Sequence, residues 1–71
     1  MSAEQSYVTV NGKEQPVPEK CTILKLLEML GMAEKRVAVA LNQDVVPRSG
    51  HAEVFLHPND QIEILEAVGG G

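Results

Sequence analysis

A chain of 71 residues that is 44 % apolar and holds only two aromatic side chains, Tyr7 and Phe55, has material for one small aliphatic core and no more. Its net charge of −4, from ten acidic and six basic side chains, withholds the positive face that nucleic acid requires, and no apolar run approaches membrane-spanning length. A single cysteine, Cys21, excludes an internal disulfide framework and a cysteine-cluster metal site. With no basic and apolar leader in residues 1–6, the expected location is the cytoplasm.

The whole chain, 1–71, is expected to be one domain, with polar residues 1–5 mobile. "YVTVNGKEQPV" predicts a β-hairpin: Tyr7 to Val10 is rich in β-formers, and Asn11-Gly12 is a strong two-residue turn signal. Val8 and Val10 should share one face. Pro16 and Pro18 cannot donate to a ladder, so the returning strand should lie at an edge or end early. "TILKLLEMLG" predicts a helix. Thr22 caps it, Ile23, Leu26, Leu27 and Leu30 form its apolar stripe, and Gly31 ends it. So short a helix must be held by packing on a sheet. "VAVAL", Val37 to Leu41, predicts a strand whose alternating alanines suggest a crowded central position. "NQD" should turn the chain into a short Val45-Val46 partner stopped by Pro47. Arg48 to Gly50 reads as loop, and Pro58-Asn59 as a turn. "QIEILEAV" predicts the last strand, with Ile62 and Ile64 inward and Glu63 on the other side. The order ββα followed by further strands indicates an α+β domain, one main helix packed on one sheet.

Catalytic constellations are not evident. The glycines cluster at the end of the sequence with no helix after them, so they do not form a phosphate loop. His51 and His57 read as two solvated loop histidines rather than metal ligands. Cys21 precedes Thr22, where a small apolar side chain can staple onto Leu26; no partner that would lower its pKa is evident. Glu53, Asp60, Glu63 and Glu66 read as a solvated acidic face. The remaining feature is the ending "EAVGGG". It is either a frayed end or a thin tail, Gly69 to Gly71, that enters a narrow channel and presents the carboxylate of Gly71. Three extended residues reach about 10 Å.

From Val8 to Gly71 the order and spacing of "VNGK", "TILKLLEMLG", "VAVALNQDVVPRS" and "ND-QIEILEAVGGG" resemble the ThiS family, sulfur carriers of thiamine thiazole biosynthesis. Departures are the polar residues before Tyr7, Asn59 where the family often has glycine, and His51 where an aromatic is frequent. The resemblance implies a ubiquitin-like β-grasp fold with a mixed sheet. It also implies a carrier that is a co-substrate rather than an enzyme. An E1-like adenylyltransferase (ThiF) would use Mg-ATP to turn the Gly71 carboxylate into an acyl-adenylate. A persulfide, ultimately from a cysteine desulfurase, would convert this to a thiocarboxylate, and thiazole synthase (ThiG) would receive the sulfur. The chain itself would bind no cofactor and be monomeric alone. Leu65, Ala67 and Val68 cannot all be inside, so they are expected to offer an apolar contact strip beside the tail, with Glu63 and Glu66 steering toward a basic rim. Alternatives with the same fold are the molybdopterin carrier MoaD, a protein-conjugating modifier, and an interaction module with an inert tail. The single cysteine excludes an iron–sulfur ferredoxin.

Overall fold

Two hairpins and a helix precede the strand that joins them. The computed structural model describes residues 6–66; the expected mobile start, 1–5, and the tail, 69–71, lie outside the described residues. The elements are β1 (Ser6–Val10), β2 (Lys13–Val17), α1 (Ile23–Met29), β3 (Val37–Leu41), β4 (Asp44–Val46), a single 3-10 turn (Arg48–Gly50) and β5 (Gln61–Glu66). They build one five-stranded sheet in the order β2-β1-β5-β3-β4. β5 enters between the two hairpins, parallel to β1 and antiparallel to β3, so the sheet is mixed. None of the helices among the described residues is long and apolar enough to cross a membrane.

Both hairpins close on two-residue turns with left-handed backbone, Asn11 (φ 50°) with Gly12 (φ 85°) and Asn42 (φ 50°) with Gln43 (φ 76°). This turn type matches the twist of the flanking strands. Asp44 therefore belongs to β4, opposite Leu41, and not to the turn. The proline-bearing β2 is an edge strand, as expected. Asn59 also takes the left-handed conformation, at φ 72°.

The helix is short, and every amide of its first turn finds an acceptor. Ile23 N donates to Val54 O (3.1 Å), Leu24 N to His51 O (2.8 Å), Lys25 N to Thr22 Oγ1 (3.1 Å) and Leu26 N to Thr22 O (3.0 Å). At its other end Gly31, at φ 74°, lets Gly31 N reach Glu28 O (3.1 Å) and Met32 N reach Leu27 O (2.7 Å). That paired arrangement satisfies the last carbonyls. Ile23, Leu26 and Leu27 face the sheet and pack with Val8, Val39, Ile62 and Ile64 in the core.

β3 is an interior strand, as expected, with β5 beside it at the middle of the sheet. Two expectations need correction. The alanine face of β3 is not crowded: Ala38 is exposed and Ala40 half-buried, because the helix and the 48–57 segment cover only the opposite face. His51 is not solvated either. It is 4 % exposed, and its Nε2 donates to Val46 O at 3.1 Å, which ties the 3-10 turn to β4.

β5 is held by side chains as well as by strand pairing. Asn11 accepts from Ile64 N (2.8 Å) through Oδ1 and donates to Ile64 O (3.2 Å) through Nδ2. It thereby extends the parallel edge beyond the end of β1. On the other flank Asn42 Oδ1 accepts from Gln61 N (2.9 Å), and Asn42 N donates to Gln61 O (2.7 Å). Replacing Asn11 by Ala should cost about 2–3 kcal/mol, from two orphaned backbone groups of Ile64 and a strained turn. Asn11→Gly removes the turn strain and should cost about 1–2 kcal/mol. Urea unfolding midpoints of the two variants separate these contributions.

Cys21 lies in the core, 1 % exposed, directly before the cap. Burial pushes its thiol pKa up, and the Lys25 charge opposes that only in part. Lys25 is thus the lowering charge that the sequence did not reveal, and desolvation outweighs it. The unfolded chain gives up its thiol proton at lower pH than the native one. Stability is unaffected below the unfolded thiol value, about 8.5, and falls as pH climbs from there toward the raised native value. Unfolding midpoints measured from about pH 8 to pH 10 should therefore fall more steeply for the native sequence than for Cys21→Ala.

Candidate functional site

The strand that leads into the terminal glycines alternates strictly. Ile62 and Ile64 point under the helix and are buried, while Gln61, Glu63 and Leu65 point to the open face of the sheet and are exposed. Pairing places Leu65 opposite Ala38, Glu63 opposite Ala40, and Ala40 opposite Val45. Alanine is too small to cover its neighbours. Leu65 is consequently 72 % and Val45 76 % exposed. These side chains and the two alanines between them form an apolar strip across β5, β3 and β4, with Glu63 set among them. An apolar strip kept in water on a bare sheet face has the character of a contact surface.

Glu66 lies three positions from Glu63, so it turns to the other face. There its Oε2 sits 3.0 Å from Lys35 Nζ, with both side chains about half exposed. Such a pair contributes at most about 1 kcal/mol. It fastens the last rung of the sheet, where Glu66 pairs with Val37. The two glutamates expected to steer together thus do not form one acidic edge. Ala67, Val68, Gly69, Gly70 and Gly71 lie outside the described residues.

Val45 and Lys35 were not singled out in the sequence. Adjacent valines on one short strand must face opposite ways, so Val45-Val46 did carry the signal for one exposed valine. Lys35 had none, since its partner is 31 positions away along the chain.

Asp60 is not part of a solvated face. Its side chain is 14 % exposed and accepts from His57 N (2.7 Å) and Asn42 Nδ2 (3.1 Å), closing the loop ahead of β5 onto the second hairpin turn. Glu53, Glu63 and His57 are exposed. Among the described residues no three His, Cys, Asp or Glu side chains gather as metal ligands.

A sequence and fold of this kind have known counterparts. The ThiS family model matches residues 3–71. The sulfur carrier protein ThiS of Escherichia coli (strain K12) is 36 % identical over 50 residues, which cover 70 % of this chain and 76 % of that protein. A thiazole synthase from Paramagnetospirillum magneticum is 36 % identical over 64 residues, 90 % of this chain; the chain spans only 20 % of that relative's length. The crystal structure of the thiamine biosynthesis protein ThiS from Geobacter metallireducens superposes with a TM-score of 0.77 at 34 % identity, over 92 % of this chain and 99 % of that one. The five-stranded mixed sheet on one helix is thus the β-grasp that the sequence resemblance implied.

Proposed function

The chain belongs to the ThiS family, the sulfur carriers of thiamine biosynthesis, and on that premise we propose that its sulfur rides on the carboxylate of Gly71. The observation that carries this reading is the extent of the family match, which runs through the glycines to Gly71 itself. A carboxylate is a poor electrophile, because its charge repels nucleophiles. An E1-like adenylyltransferase of the ThiF kind, using Mg-ATP, converts it to an acyl-adenylate and releases pyrophosphate. A persulfide derived from a cysteine desulfurase displaces AMP, and a second thiol cleaves the resulting acyl disulfide to leave the thiocarboxylate. This soft nucleophile then passes its sulfur to a thiazole synthase of the ThiG kind. The likeness to a thiazole synthase that contains a domain similar to this chain supports that acceptor.

In this reading the described part of the chain supplies docking rather than catalysis. Leu65, Ala38, Ala40 and Val45 meet the partner on the open face. Ala67 and Val68 extend the contact toward the tail, where Gly69 and Gly70 have no side chains to obstruct a narrow channel. Glu63, on the same face, steers toward a basic rim, while Glu66 is engaged by Lys35.

Intact-mass spectrometry after co-expression with the adenylyltransferase and a sulfur source should show one oxygen replaced by sulfur, mapped to Gly71. An unmodified Gly71 beside a demonstrably active enzyme would overturn the reading. A thiamine requirement after gene deletion supports the pathway, whereas loss of molybdoenzyme activity would assign the carrier elsewhere. Leu65→Arg and Val45→Arg should each lower adenylation kcat/KM about tenfold or more, since central apolar contacts dominate such interfaces. Their unfolding midpoints should not move, because both side chains are already in water. Glu63→Lys should slow association in a way that added salt abolishes, and Glu66→Lys should do so less.

A further inference from the structure

On the helix side of the sheet, opposite the apolar strip, lies a hollow of about 190 Å³ that the carrier reading does not use. Leu24 and Leu27 of the helix, Val37 of β3, Ala33 and Ala52 give it apolar walls, and Lys35, Arg48 and His51 complete its lining. Three features set it apart. Two of the six basic residues of an acidic chain meet here. Arg48 makes no ion pair among the described residues. The His51 ring is fixed in the lining by its bond to Val46 O. The volume is below the roughly 300 Å³ at which pockets begin to hold drug-sized molecules. It suits a side chain or a fragment of four or five carbons.

We propose that this hollow binds a carboxylate carried on a short aliphatic stem, the stem against Leu24, Leu27 and Val37 and the carboxylate between Lys35 and Arg48. Lys35 of this lining already pairs with one carboxylate, that of Glu66, 3.0 Å from its Nζ. An arriving carboxylate competes with Glu66 for that ammonium. Occupancy is therefore coupled to the residue that fastens the end of β5, immediately before residues 67–71. The ligand is either the C-terminal residue of a protein chain or a free small acid; both present the same chemistry. This proposal does not rest on sulfur transfer at Gly71.

The test is amide NMR of the full chain, titrated with 3-methylbutanoate, with 3-methylbutan-1-ol, with inorganic phosphate, and with acetyl-Gly-Gly-Leu bearing a free or an amidated C-terminus. At least one of the two carboxylates should shift the amides of Leu24, Leu27, Val37 and His51, and the alcohol and the amide should not. Tighter binding of the peptide points to a protein terminus, and tighter binding of the free acid to a small molecule. Arg48→Gln should weaken binding about tenfold with an unchanged unfolding midpoint, since a charge-assisted hydrogen bond is lost. Glu66→Gln should tighten it by about two- to fivefold by releasing Lys35. The proposal fails if neither carboxylate shifts these amides, if phosphate binds as tightly as the carboxylates, if Arg48→Gln has no effect, or if shifts spread equally to Lys13 and Lys20.

Discussion

The side-chain amides of Asn11 and Asn42 grip the backbone of β5 from both flanks, and the rest of the molecule is arranged around that grip. β5 is the last of the described elements and the middle one in the sheet. Each hairpin can form from local contacts, but neither has a second flank until β5 arrives. The parallel pairing with β1 spans only Thr9–Gln61 and Val10–Ile62, so Asn11 supplies two bonds that a longer β1 would have given. A strand that pairs across most of the chain carries a large loop-closure cost, and its formation is expected to follow that of the hairpins. The segment that precedes the glycines is accordingly the best anchored in the sheet.

One helix covers only one face of this sheet. The covered face takes Val8, Val39, Ile62 and Ile64, and the open face takes Ala38, Ala40, Val45 and Leu65 together with Thr9, Glu14, Gln61 and Glu63. The alternation of β5 sorts function along with packing. Leu65 and Glu63 belong to the open surface, whereas Glu66 belongs to the helix side and its cations. The apolar strip and the hollow lined by Lys35 and Arg48 thus lie on opposite faces of a very small protein without sharing a side chain.

Much of this was legible in the residues. Asn-Gly marked the first turn, Thr22 and Gly31 the ends of the helix, and the spacing of Ile62 and Ile64 the buried side of β5, because each of these signals is local. What escaped was set by distance. Periodicity tells which side chains share a face but not what covers that face, so the alanine face of β3 was expected to be crowded although it is open. The same gap left His51 in solvent, although a backbone carbonyl five residues back captures its ring, and left Asp60 on a solvated face, although Asn42 holds it. Of the site, exposed Leu65 and Glu63 were readable from alternation. The pairing of Glu66 with Lys35 was not, since nothing in either neighbourhood names the other.

The margins of the sheet contrast with its sticky face. One margin carries Pro16, and the other is only three residues long and runs straight into Pro47. Both prolines lack the amide that a further strand would need. A protein that displays aliphatic groups on an open sheet face faces a standing risk of growing into ribbons, edge upon edge. Blunt margins oppose that route, so edge growth is resisted by backbone chemistry even where the open face invites company.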